Sequence, residues 1–203
     1  MTHHKLCINV SMTDRSQMPM IQAYRGAIPE AIVAFHRARR KKLRKTMAVH
    51  FYTDDVHFEC VWKRPYMYIR MLQNASFVIS TDYSLYSNMS LPEVWWNNYR
   101  NKLLCAWWQK HSINVIPNVS WWRGCTNEFI LEGYPKESVI AINSTGIGQD
   151  TYAKRQWLKG YEKVLETLKP IHILRYGAMQ DGENTSISTY YKNDNYNAVT
   201  YGR

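Results

Sequence analysis

Three carboxylates stand close together in FYTDDVHFECVW, residues 51–62: Asp54, Asp55 and Glu59, with His57 between them. A fourth, Asp82, closes the apolar run FVISTD, residues 77–82. Oxygen ligands of this kind suit Mg²⁺ or Mn²⁺, and such an ion polarises a phosphoryl group and activates water. On that reading Asp54, Asp55 and Asp82 hold metal, Glu59 orients water, and Arg100 steadies the developing phosphoryl charge. One acid alone can instead act as general base. The competing reading is structural, because Asp is a favoured helix cap and turn former and each of these positions begins a loop. His57 and Glu59 point the same way in an extended segment, either as an acid–base or metal pair or as an ordinary surface pair.

The chain around these acids is basic. Its 203 residues carry a net charge of +10, and the pI is about 9.4. Such a balance points to a polyanionic partner, most often nucleic acid. The densest source of charge is RARRKKLRK, residues 37–45: Arg37, Arg39, Arg40, Lys41, Lys42, Arg44 and Lys45. No acid interrupts the chain from Ala31 through Met47, whereas a structural helix more often interleaves Glu with its Lys. Such a run can track a phosphate backbone, with binding that weakens steeply in salt. Trp121, Trp122 and Arg123 end another apolar run and are the candidates for stacking on a base or ring. STGIGQD, residues 144–150, places glycines between a strand and a helix, where backbone N–H groups can cradle an anion. It lacks the third glycine of a dinucleotide fingerprint and the Gly-Lys-Ser/Thr of a P-loop.

These residues need elements to hold them. Residues 48–55, 77–82, 114–122, 139–146 and 171–177 read as buried strands, being continuous apolar runs. A helix is expected after Gly26 and Pro29, with Ile28, Ile32, Phe35, Leu43 and Met47 on one face. A second is expected over 63–74, with Pro65 in its first turn. A third follows Ser90, a plausible N-cap, with Pro92 and Glu93 in the first turn and an apolar stripe of Trp95, Trp96, Tyr99, Leu103, Ala106 and Trp107. Trp108 points away from that stripe. A fourth carries Trp157, Leu158, Tyr161, Val164, Leu165 and Leu168 and stops at Lys169-Pro170. Strands alternating with helices predict an α/β fold, either a mainly parallel sheet or a partial (β/α) barrel of about five strands with helical crossovers. Functional residues in such folds gather at the C-terminal strand ends. The expected organisation is an N-terminal arm over 1–23, one α/β domain over 24–177 and a polar tail over 178–203.

Four cysteines without C-x-x-C spacing argue against a zinc ribbon, and read as buried thiols of a reduced, cytoplasmic protein. No apolar run is long enough for a transmembrane helix, so no membrane partner is expected.

The segments AYRGAIP, HFYTDDVHFECVWKRPYMYIRML, FVISTDYSLYSNMSLPEVWWNNYRNKLLCAWWQ, INVIPNVSWW, ESVIAINSTG and ILRYG resemble a family found in phages, plasmids and other mobile elements, catalogued as domain of unknown function 4417. The resemblance implies a single α/β domain and a mobile-element origin, and it supplies no activity. The family pattern often reads Pro-Asp-Phe-Ser where this chain has Thr81-Asp82-Tyr83-Ser84. It usually has Gly where this chain has Ser112, and a single Trp where this chain has Trp121-Trp122. The basic run at 37–45 is not part of the pattern.

Three functional readings follow. The first is a nucleic-acid-binding protein that grips DNA or RNA, or a host protein bound to them, through the basic run and the aromatic rim. The second is a metal-dependent phosphodiesterase or nickase built on the strand-end Asp cluster. The third is a sugar- or nucleotide-processing barrel enzyme, since carboxylates beside Trp also suit glycoside chemistry.

Overall fold

Side chains alternate cleanly along every strand, and that alternation sorts the apolar residues into two layers. The computed structural model describes residues 3–39, 45–123, 128–148 and 150–192. In chain order its elements are β1 (Ala31–Ala34), α1 (Phe35–Ala38), β2 (Met47–His50), α2 (Glu59–Lys63), α3 (Ile69–Gln73) and β3 (Phe77–Ile79). There follow α4 (Leu91–Lys110), β4 (Val115–Ile116), β5 (Val139–Asn143), α5 (Thr151–Leu168), β6 (His172–Tyr176) and β7 (Ser188–Tyr191). Among the described residues these strands all pair in parallel, in the order β1-β2-β3-β4 and β5-β6-β7. The two sheets meet where Ala141 donates to the Pro117 carbonyl and Val119 donates to the Ala141 carbonyl, each at 2.8 Å.

One layer gathers Ala48, Ile79, Ile116, Ala141, Leu174 and Tyr191, with Ile32 of β1 packed against it. Every strand contributes, so this is an inner core enclosed by the sheet. The other layer takes the intervening positions, Val33, Val49, Val78, Val115, Ile140 and Ile173, and buries them under the helices. The seam between first and last strands is bridged by the Tyr191 hydroxyl, which donates to the Pro29 carbonyl. The architecture is therefore the mainly parallel α/β arrangement expected, with seven strands among the described residues where about five were expected.

The two extra strands have physical explanations. Residues 31–34 were expected in a helix, yet Ala31 to Ala34 pair in register with Met47 to His50. Helical spacing in that segment is overridden because Ile32 and Val33 fill opposite layers, which only an extended chain allows. Arg40, Lys41, Lys42, Leu43 and Arg44 lie outside the described residues. β7 falls in the segment expected to be a polar tail, whose Tyr191 is nonetheless an inner-core residue. The N-terminal segment also packs, burying Leu6, Val10 and Ile21 in the outer core.

The helices depart from expectation in instructive ways. In place of the expected helix over 63–74 stand the end of α2 at Lys63, a 3-10 turn at Pro65–Tyr68, and α3. Pro65 lacks an N–H and pushes Arg64 out of helical geometry, to φ −137° and ψ 60°. α4 begins as expected, with Glu93 accepting from the Ser90 N–H at 2.8 Å and the Ser90 hydroxyl at 2.7 Å. Its buried face is only partly the expected stripe: Leu103, Ala106 and Trp107 are buried, but Trp96 is exposed, and Trp108 is fully buried, stacked on Phe51. α4 is covered on more than one side, since Lys102, also fully buried, donates to the Ile130 carbonyl at 2.7 Å. α5 is amphipathic as expected, capped by Asp150, which accepts from Tyr152 at 2.8 Å, and ended by Lys169 in the left-handed region.

One buried ion pair secures the turn after β6. Arg175 and Glu183 are 0% and 1% exposed, and two guanidinium nitrogens reach the carboxylate at 2.5 and 2.8 Å. The same guanidinium donates to the Ala178 carbonyl at 2.7 Å and lies 4.7 Å from the Trp157 ring centroid. Removing one charge strands the other in a low-dielectric interior, which costs about 3–5 kcal/mol. Glu183→Gln is expected to lose about that much stability in urea titration; a loss within experimental error would show that the pair contributes little.

Candidate functional site

The C-terminal strand ends do form a common rim, and two polar centres occupy it. The first is built on Asp82. Its Oδ1 accepts from Asn118 Nδ2 at 2.9 Å and from Ser120 Oγ at 2.6 Å, and its Oδ2 accepts from Asn143 Nδ2 at 3.0 Å. These partners follow β4 and end β5, so one carboxylate ties three consecutive strand ends together. Asn118 also accepts the Tyr52 hydroxyl at 2.9 Å. Tyr52 stacks on Tyr176 at 4.7 Å, and His50 lies against both rings. Burial, and then the Asp82 charge, push the Tyr52 phenol well above its ordinary range.

The second centre is built on Asp55, Glu59 and Arg100. Asp55 Oδ1 accepts from Ser84, from the hydroxyl at 3.1 Å and the backbone N–H at 3.3 Å. Arg100 donates to Glu59 at 2.9 Å and to Asn97 Oδ1 at 2.6 Å, while Asn97 donates to the Ser84 carbonyl at 2.7 Å. The Arg100 guanidinium sits 3.6 Å from the Tyr83 ring centroid. The two carboxylates are thus positioned by opposite ends of one network running from the β2–α2 connection to the buried face of α4. Burial raises the Asp55 carboxyl above its usual range; the Ser84 bonds oppose that shift and the Asp82 charge adds to it.

An open cavity of 660 Å³ lies at this second centre, bordered by Asp55, Glu59, Cys60, Lys63, Arg64, Tyr68 and Arg100 among others. Lys63 and Arg64 are exposed at its edge. Arg39 stands beside it, its guanidinium 5.3 Å from the Tyr68 ring centroid. The Tyr68 hydroxyl is raised above its usual pKa, first by its hydrogen bond to Cys60 and then by burial, while Arg39 and Arg64 pull it down.

The remaining expected site residues fall elsewhere. Asp54 is exposed and precedes the 3-10 turn Asp55–His57. Among the described residues, no group of three or more His, Cys, Asp or Glu side chains is arranged to hold a metal ion. Trp121 packs against Trp157 and over Gly160, where an added Cβ would fall 2.1 Å from the indole. Trp122 is buried and donates to the Tyr86 carbonyl at 2.9 Å, and Arg123 lies 4.2 Å from the Trp122 ring centroid while donating to the Ser87 carbonyl. The faces expected to stack on a ligand are thus engaged within the chain. Of the basic run, Arg37 belongs to α1, and Arg39 and Lys45 are exposed; Arg40, Lys41, Lys42 and Arg44 are outside the described residues. Gly146 and Gly148 have φ of 93° and 60°, with open space where a Cβ would stand. Cys105 is buried, which pushes its thiol up to about 12, but Cys7 and Cys60 are only partly buried; Cys125 is outside the described residues.

Sequence reasoning missed Lys63, Arg64 and Tyr68 as cavity residues, because they were read as part of one continuous helix. It also missed Asn118, Ser120 and Asn143. Their signal was the strand-end position itself, which neutral amides and hydroxyls share with the acids and aromatics.

Fold and rim together define a parallel α/β protein that carries its polar centres at the C-terminal strand ends. The chain belongs to the family described as Domain of unknown function (DUF4417), which matches residues 10–193. It is similar to the Gene 1 protein of Mycobacterium phage D29, 28% identical over 155 residues, covering 75% of this chain and 57% of that protein. The Gene 1 protein of Mycobacterium phage L5 is also 28% identical over 155 residues, which cover 75% of this chain and 68% of that one. The chain thus spans little more than half the length of its D29 relative. No solved structure matches. Among the described residues, no helix is long and apolar enough to cross a membrane.

The raised Asp55 carboxyl has a consequence for stability. A group whose pKa is higher folded than unfolded contributes stability that is complete below its unfolded value, about 3.9 for Asp, and lost as pH rises through the folded value. Asp55→Asn keeps an oxygen for Ser84 and removes the buried charge. It is expected to be more stable than the parent at pH 7, with the gain fading below about pH 4. Urea titrations at both pH values check this; a variant that is less stable at pH 7 contradicts the assignment.

Proposed function

We propose that this protein binds nucleic acid at the Asp55–Arg100 cavity, with phosphates held along its edge by Arg39, Lys63 and Arg64. The observation that carries this reading is that Lys63 and Arg64 line one cavity with Tyr68 and Arg100, while Arg39, from a separate segment, lies against the Tyr68 ring beside it. The net charge of +10 supports it, since neutralising phosphates releases counterions and drives association. Phage relatives make a polynucleotide partner reasonable. The basic run of the sequence enters this reading through Arg39, whose guanidinium lies against the Tyr68 ring. A host protein bound to the nucleic acid can share the surface.

A second reading, phosphodiester cleavage in the same cavity, is favoured by Asp55 and Glu59 lying beside Arg100. Asp55 would act as general base and Arg100 would face the developing charge. Mg²⁺ or Mn²⁺, if required, would have to be completed by substrate oxygens.

The test is affinity for single- and double-stranded DNA and RNA as a function of salt. Lys63→Glu with Arg64→Glu is expected to weaken binding at least tenfold at low salt, and to make the log–log salt slope shallower by roughly 1.5. Unchanged affinity and slope would remove this cavity as the binding surface. Product analysis of the same mixtures, with and without Mn²⁺, separates binding from cleavage.

A further inference from the structure

A second cavity, of 500 Å³, opens between the N-terminal segment and the first turns of α4. Its walls include His3, Met18, Pro92, Trp95, Trp96 and Tyr99. Rings dominate there and polar groups are few; Ser16, also at its edge, already donates to Glu132. Trp96 is the unusual member, being 38% exposed although Trp is on average among the better-buried residues. Its orientation is nevertheless fixed. Trp62 meets it nearly at right angles with centroids 5.4 Å apart, Tyr99 lies 6.0 Å away at 18°, and the Arg100 guanidinium is 5.8 Å from its centroid. These neighbours hold the indole without closing over it. A ring kept rigid and left partly open is pre-organised for a second ring, because the entropy of placing it is already lost on folding.

Position then selects the ligand. Arg100 borders the first cavity and lies against Trp96 of the second, so the two adjoin across one side chain. Trp62, which packs on Trp96, is followed directly by Lys63 of the basic edge. On the outer side His4 borders the second cavity, and His4 and Lys5 are both exposed. Glu93, the acid beside Pro92, is engaged by Ser90. A ring-lined floor between two basic edges suits a ligand that alternates flat apolar faces with negative charge, as a polynucleotide strand does. A duplex hides its base faces within the stack, so the strand must be single. With few polar groups to read base edges, recognition is by stacking, which every base can use.

We propose that this second cavity is a stacking site for the unpaired bases of a single-stranded nucleic acid, with Trp96 as the platform and Tyr99 beside it. The proposal rests on the nucleic-acid reading above and extends that surface: phosphates along the edge of the first cavity, bases in the second. Binding there is tolerant of sequence and selective for single strands.

The experiment titrates the full chain with a mixed-sequence single-stranded oligonucleotide and with the duplex of the same sequence, reading affinity by anisotropy and stacking by quenching of tryptophan emission. Trp96→Ala is expected to weaken single-strand binding about tenfold, to lose part of the quenching, and to leave duplex affinity unchanged. It removes no charge, so the salt slope stays that of the parent, unlike that of Lys63→Glu with Arg64→Glu. Trp96→Phe keeps a ring and is expected to restore most of the affinity. Equal single-strand affinity for Trp96→Ala and the parent, with binding still dependent on Lys63 and Arg64, overturns the stacking site and leaves the proposed function standing. Binding of a proline-rich peptide that Trp96→Ala abolishes, with single strands unaffected, gives the cavity to a protein partner and also overturns the stacking site. Absence of all nucleic-acid binding by the parent overturns both.

Discussion

The whole arrangement depends on one constraint: the parallel strands must turn alternate side chains inward on a shared core that each of them helps to fill. Ala48 and Ala141 are small members of that layer, and Tyr176 and Tyr191 are large ones. Parallel strands need long crossovers, and the chain supplies them with α4 and α5 on the outside. Once the inner layer is set, strand ends fall on one rim whatever the loops contain. The rim is therefore a consequence of packing, and its chemistry is free to vary with the residues placed there.

Those residues divide by how their charge is handled. Asp82 is locked by Asn118, Ser120 and Asn143, a set of partners that fixes a carboxylate and also staples the junction of the two sheets. Asp55 and Glu59 are held from one side only and border open space. The same residue type thus does structural work at one strand end and remains available at the neighbouring one. Arg175 and Glu183 are the extreme of the first case, buried and mutually satisfied.

Much of the architecture was legible because it rests on local pattern. The runs at 77–79, 139–143 and 172–176 are apolar and short, and α5 has a stripe and caps that agree with each other. α4 announced its start through Ser90, Pro92 and Glu93, but not its buried face. Trp108 and Lys102 are covered by segments remote in sequence, and no periodicity reports that. β1 was misread because Ile28, Ile32 and Phe35 satisfy helical spacing as well as they fit a strand and its flanks. The acidic part of the site was legible as residues at strand ends, whereas its basic edge was not. Lys63 and Arg64 reach the cavity only because Pro65 ends α2, a local break whose effect on direction requires the fold to be known.

The seam between β1 and β7 sets a schedule for synthesis. The inner layer is incomplete until Tyr191 can reach back to Pro29, so the first strand to leave the ribosome waits for the last one. Translation adds about 5–20 residues each second, which leaves β1 without that neighbour for roughly ten seconds or more. During that interval the apolar inner face of the first strands lacks its Tyr191 cover and is exposed to other chains.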